Sequence, residues 1–218
     1  MPGAARLAGE AALRAGAGLV SVATRPEHVA AVVAGRPELM CRGLTDSRDL
    51  APMVERATTI AVGPGLGQTD WSREMFEAVL STDRTLVVDA DGLNLLASKP
   101  SARGNWILTP HPGEAARLLG QDTRAVQDDR FAAAAALVEE YDAVAVLKGA
   151  GSLVADPGGE TGLCTAGNPG MAVAGMGDVL TGVIGALVAQ GLDTAEAARL
   201  GVLIHARAGD EASRVGER

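Results

Sequence analysis

The run GNPGMAVAGMGDVLTGVIGALVAQG, Gly167 to Gly191, sets one carboxylate, Asp178, behind glycines at Gly167, Gly170, Gly175 and Gly177 and ahead of an almost wholly apolar segment. A glycine-rich turn entering a helix suits an anion, because bare N–H groups point outward and the helix dipole favours negative charge. Asp178 stands where that anion would also sit. It is either a helix cap, contributing about 1 kcal/mol, or a general base beside a phosphoryl group whose transfer the N–H groups stabilise. Capping alone needs none of Gly170, Gly175 and Gly177, and each carries an entropic cost. Anion binding gives all three a reason, which favours the base.

Other constellations carry weaker chemistry. TPHPGE frames His111 between Pro110 and Pro112, whose rings stiffen the backbone and present the imidazole in a fixed direction. Glu114 in the same loop reads as a helix cap. DADGLN places Asp89, Asp91 and Asn94 after a strand, either to hold magnesium through water or to cap the next helix. KGAGS puts Lys148 at a strand end before a tight turn, either a nucleotide contact with one point charge or a plain hairpin. Lys148 precedes its glycines, so the P-loop pattern GxxxxGK[ST] is absent, and GPGLG is not the GxGxxG fingerprint. His205, inside LGVLIHARAG, reads as a packed helix residue. His28 carries no signal, and Cys41 and Cys164 match no metal or redox spacing.

Short apolar runs must position these groups. GLVSVAT, TTIAVG, TLVVDADG, NWILTP, AVAVLKG and SLVADP read as strands, with GETGLCTAG a possible further one. Helical spacing appears in Ala4–Ala15, PEHVAAVVAG, WSREMFEAVLS, PGEAARLLG, a long stretch over Arg124–Tyr141, and two final segments over Asp178–Gln190 and Thr194–Ser213. Continuous apolar strands alternating with helices predict an α/β fold, a mostly parallel sheet covered by helices on both faces. Ligands bind such sheets beyond the carboxyl ends of the strands. GPGLG, DADGLN, TPHPGE, KGAGS and the glycine-rich turn are therefore expected to converge on one crevice. No linker or repeat interrupts residues 1–218, which read as a single domain.

Lys and Arg number 19 against 27 Asp and Glu, a formal net charge of -8 over 218 residues. That balance, without a basic run, argues against nucleic acid as a partner. It leaves a single nucleotide open, because glycine loops hold phosphates with backbone dipoles. Hydrophobic residues make up 47% of the chain and aromatics 2%, so the core is built from Ala, Val and Leu. The apolar run from Val179 to Ala189 is too short to span a bilayer, and no signal peptide is visible. A cytoplasmic protein with no membrane partner is expected.

The motifs MPGAARLAGEAALRAGAGLV, AVGPGLG, VVDADGLNLL, ILTPHPGEAARLLG, VLKGAGSLV and GNPGMAVAGMGDVLTGVIGALVAQG, in this order, resemble the ADP- or ATP-dependent NAD(P)H-hydrate dehydratases of the ribokinase-like superfamily. The resemblance covers nearly the whole chain. It implies a three-layer ribokinase-like sandwich and a repair reaction: NADH-hydrate or NADPH-hydrate is dehydrated at the expense of ADP or ATP, by phosphorylation of the ring hydroxyl and elimination of phosphate. Carried over, Asp178 activates the hydroxyl, and Gly175 and Gly177 form the anion hole. Lys148, Gly149, Ala150, Gly151 and Ser152 line the nucleotide site with Asn168, Gly170 and Gly177. Ala4, Gly67, His111, Asn94 and Asp178 touch the hydrated dinucleotide. Mg2+ accompanies the nucleotide, with no ligand residue assigned, and the relatives imply a homo-oligomer, a tetramer. The resemblance also implies that the chain begins after the family's first strand, leaving a sheet edge for a partner chain to cover. It likewise stops before a short hydrophobic tail and lacks the epimerase domain fused to some relatives. Two other functions remain open, a small-molecule kinase acting on a vitamin precursor or sugar, and a nucleotide-binding protein without turnover.

Overall fold

The computed structural model describes residues 1–216. In chain order the elements are α1 (Pro2–Arg14), β1 (Ser21–Thr24), α2 (Val29–Val33), β2 (Met40–Gly43), α3 (Ala51–Arg56), β3 (Thr59–Val62), α4 (Asp70–Leu80) and β4 (Thr85–Val88). There follow α5 (Ala90–Ser98), β5 (Trp106–Leu108), α6 (Pro112–Leu118), α7 (Thr123–Asp128), α8 (Arg130–Tyr141), β6 (Val144–Leu147), β7 (Ser152–Ala155), β8 (Thr161–Cys164), α9 (Met176–Ala189) and α10 (Thr194–Arg214). The main sheet has six strands in the order β3-β4-β5-β6-β7-β8. The first four run parallel, and β7 and β8 join antiparallel. The strands β1 and β2 form a separate parallel pair.

Alternation along each strand sends side chains to opposite faces. Leu86, Val88, Leu108, Leu147 and Leu153 pack under α4, α5, α6 and α8, through Phe76, Leu96, Ala115 and Leu137. Val87, Ile107, Val144, Val146 and Val154 meet Leu180 and Ile184 of α9 and Ala198 and Val202 of α10. Helices therefore cover both faces, the expected three layers. Helix α1 lies outside α9, where Ala11 packs with Val183 and Leu187. Trp106 and Tyr141 are both fully buried, and burial pushes the Tyr141 phenol up to about 12.

Two differences from expectation have local causes. The helix predicted over Arg124–Tyr141 is two helices, broken at Asp129, whose carboxylate accepts from the Ala132 N–H at 2.9 Å and starts α8 anew. The short β2 and α3 were not anticipated. Strand β2 alternates between exposed and half-buried residues, so no apolar run marks it. No helix among the described residues is long and apolar enough to cross a membrane.

Candidate active site

Strands β3 to β6 are parallel, so the loops at their carboxyl ends open along one edge of the sheet. The residue after β4 is Asp89, with a side chain only 2% exposed. Its Oδ1 accepts from Lys148 Nζ at 2.6 Å, and its Oδ2 accepts from Thr181 Oγ1 at 2.8 Å. Lys148 follows β6, and its N–H donates to the Pro110 carbonyl at 2.8 Å, stitching it to the loop after β5. A largely buried ion pair and a second hydrogen bond to Asp89 thus join β4, β6 and α9. Asp89 stands at the head of α5 but makes no capping bond with its side chain. Asp91 accepts from the Gly67 N–H at 2.7 Å and ties GPGLG to DADGLN. Among the described residues, no group of three His, Cys, Asp or Glu side chains could hold a metal ion.

Helix α9 begins two residues earlier than its sequence suggests. Its N-cap is Gly175 at φ 91, a left-handed conformation that glycine adopts without a Cβ clash. Asp178 is therefore the third helical residue and not the cap. Burial, and then the Asp89 carboxylate, raise its pKa above the ordinary value, with Lys148 opposing and Asp91 adding to the rise. A Cβ on Gly177 would lie 3.2 Å from Lys148 Nζ and 3.5 Å from Asp89 Oδ2. Gly177 thus leaves room for the ammonium, a reason for that glycine beyond anion binding. Lys148, assigned from sequence to the nucleotide site, has its amine committed to Asp89 beside the α9 N-terminus.

His111 and Glu114 form a reciprocal cap at the start of α6. The Nδ1 of His111 accepts from the Gly113 N–H at 3.0 Å and the Glu114 N–H at 3.2 Å, while Glu114 Oε2 accepts from the His111 N–H at 2.8 Å. The capping role expected of Glu114 is what the structure builds, and His111 shares it. The ring remains 56% exposed, and with Nδ1 accepting, the proton is on Nε2. Glu114 Oε2 lies 3.8 Å from Lys148 Nζ, linking this loop to the ion pair. Asn94 accepts from Arg117. Ala4 sits on α1, one turn before Leu7, whose methyl lies against Gly175.

The remaining candidates lie toward β7, β8 and α10. In the turn Gly149–Ser152, Arg130 donates to the Ala150 carbonyl at 2.8 Å and the Leu147 carbonyl at 3.1 Å, and Ser152 Oγ donates to Gly149 O at 3.3 Å. Gly151 lies against Leu163 of β8. Ser152 opens β7 opposite Cys164, the last residue of β8, so this turn and the Gly167–Met171 turn leave the same edge. Asn168 and Gly170 lie in that second turn, and a cavity of about 340 Å3 is lined by this turn and α10 together. His205 is packed, as expected: its Nε2 is buried without a partner among the described residues, and burial lowers the ring's pKa. Sequence reading did not single out Thr181, Arg130 or Asp210. They lie on helices, and only contacts across the fold reveal their roles.

A family model described as NAD(P)H-hydrate dehydratase matches residues 1–216. The chain belongs to this family. The bifunctional NAD(P)H-hydrate repair enzyme Nnr of Coxiella burnetii is 56% identical over 216 residues, 99% of this chain and 44% of that enzyme. The chain thus spans less than half the length of such bifunctional relatives. An ADP/ATP-dependent NAD(P)H-hydrate dehydratase from Bacillus subtilis, co-crystallised with ATP/Mg2+, superposes with a TM-score of 0.85 at 32% identity, covering 98% of this chain and 77% of that one. A ribokinase-like superfamily protein from Enterococcus faecalis gives 0.89 at 29%, covering 97% and 75%. The NAD(P)H-hydrate dehydratase family and its ribokinase-like fold are therefore those that the ordered motifs implied.

Proposed function

We propose that this chain dehydrates hydrated NADH or NADPH at the expense of ADP or ATP. The observation that carries the reading is Asp178. Its carboxyl stands in the first turn of α9, its pKa raised by burial and by Asp89, while Asp89 and Asp91 are spent on Lys148, Thr181 and the Gly67 N–H. A carboxylate left available in this way suits a general base.

In the proposed reaction, Asp178 takes the proton of the ring hydroxyl as its oxygen attacks the terminal phosphorus of the nucleotide. The bond from that phosphorus to the departing nucleotide breaks. The amides of Gly175 and Gly177 and the Lys148 ammonium stabilise the charge on the transferring group. Phosphate leaves a carbon more readily than hydroxide does. The ring C–O bond then breaks with release of phosphate, and a proton lost from the neighbouring ring carbon restores the double bond.

The turn Gly149–Ser152, with Asn168 and Gly170, holds the nucleotide. Ala4, Gly67, His111 and Asn94 meet the hydrated dinucleotide. His111 offers its Nε2–H, and Asn94 has its amide N–H groups to give because Arg117 occupies the oxygen. Asp89 and Asp91 already have protein partners, so magnesium enters with the nucleotide's phosphates as part of the substrate. Tetramer formation belongs to the same reading, and sedimentation of the full chain tests it.

The test is recovery of the reduced-nicotinamide absorbance from hydrated NADH or NADPH on addition of magnesium with ADP or ATP. The wild type should restore the band, and Asp178→Asn should be slower by about 100-fold or more. Accumulation of a stable phosphorylated product would point to a small-molecule kinase instead. Nucleotide binding without consumption would leave only a binding protein.

A further inference from the structure

Asp210 is used by none of these steps, yet it holds the nucleotide-side turn in place. Its Oδ2 accepts from the Gly167 N–H at 3.0 Å, and its Oδ1 accepts from Asn168 Nδ2 at 3.1 Å. The same Asn168 amide donates to the Gly209 carbonyl at 2.9 Å, and its Oδ1 accepts from the Gly170 N–H at 3.0 Å. Met171 completes the contact from the apolar side. A Cβ on Gly209 would come within 2.4 Å of its sulfur, so the turn lies directly on α10. The cavity between them is bounded by Asn168, Met171 and Met176 on one side and Gly209, Ala212 and Ser213 on the other. Asp210 does not line it. It fastens the two walls.

We propose that Asp210 is a positioning residue, a latch that fixes the width of the cleft between the Gly167–Met171 turn and α10 and so sets nucleotide affinity without touching the nucleotide. The inference rests on placing the nucleotide at this turn. A carboxylate accepting two N–H bonds stays ionised, and those bonds, that of Gly167 first, hold the Asp210 pKa below the ordinary carboxylate value. Charge alone and latching make opposite predictions. A negative group near phosphates repels them, so removing it would tighten binding if charge were its only influence. If Asp210 is a latch, removing it frees the turn, and binding must then meet the cost of ordering it.

Equilibrium titration of the full chain with magnesium and ADP or ATP separates the two, with kcat and both KM values measured alongside. Asp210→Ala should weaken nucleotide binding roughly tenfold and raise the nucleotide KM in proportion. The kcat at saturating nucleotide and the KM for the hydrated cofactor should change less than twofold. Asp210→Asn, which keeps one acceptor oxygen and sets an NH2 donor in place of the other, should recover part of the affinity, and it serves if the alanine variant does not fold. Asn168→Ala combined with Asp210→Ala should lose less than the product of the single losses, because the two share a bond. Unchanged or tighter nucleotide binding in Asp210→Ala overturns the latch, as does a parallel loss of kcat and both affinities. A wild type that binds nucleotide but repairs no cofactor would reject the proposed reaction and leave the latch to be judged by the dissociation constants.

Discussion

At the scale of single residues, the site is a contest over where negative charge can reside. As the proposed base, Asp178 must be ionised to take a proton, and its pKa is raised by burial and by Asp89. As pH falls through that raised value, the base is protonated and kcat/KM should drop, at a pH above that of an ordinary aspartate. Asp89→Asn removes one carboxylate and frees the Lys148 ammonium to favour an ionised Asp178. The acid limb of the pH–rate profile should therefore move to lower pH. The same substitution breaks a buried pair, and denaturant unfolding should report a loss of about 3 kcal/mol, the lower end for such a change. An unmoved acid limb would mean that Asp89 does not tune the base. Little of this was legible beforehand. Asp89 read as a cap or a magnesium holder, because its partners stand 59 and 92 residues away in the chain. No spacing rule connects them.

At the scale of elements, α9 carries both the proposed chemistry and its constraint. Its head must approach the ammonium of Lys148, and Gly177 permits this by having no side chain. Replacing a helical glycine by alanine ordinarily stabilises by about 0.5–1 kcal/mol. Here the new Cβ would sit 3.2 Å from Lys148 Nζ, so the ammonium must give by a few tenths of an ångström while keeping its bond to Asp89, which offsets the usual gain. Gly177→Ala should therefore leave the melting temperature close to that of the wild type while kcat falls by tenfold or more. A variant with higher stability and full kcat would show that the ammonium's place beside α9 does not matter. The elements themselves were largely readable. Buried parallel strands such as TTIAVG and AVAVLKG appear as continuous apolar runs, because both faces of the sheet are covered. The break at Asp129 was hidden within an alanine-rich stretch whose pattern stays helical on both sides. Strand β2 was hidden because only half of it is buried.

At the scale of the whole molecule, the proposed site draws on every layer. Lys148 and Asp89 come from the sheet's carboxyl edge, Asp178 and Thr181 from α9 on one face, and His111 and Glu114 from the head of α6 on the other. A ligand bound there should stabilise the fold as a unit, because no layer can unfold without dismantling the site. With magnesium and nucleotide at about 100 times the dissociation constant, linkage gives about 2.7 kcal/mol. For a chain of this length that corresponds to a rise in melting temperature of about 5–10 °C. Asp178→Asn should show the same rise, since it removes the base and not the nucleotide's holders. Its unliganded form should be at least as stable as the wild type at neutral pH. The raised pKa means that folding penalises the ionised carboxyl, a penalty present at neutral pH that disappears as pH falls below the folded pKa. The stability gap should therefore close on acidification. A melting temperature unmoved by nucleotide in both proteins would remove the nucleotide from this site. A rise in the wild type alone would make Asp178 part of the nucleotide's own binding surface, and its role as base would have to be given up.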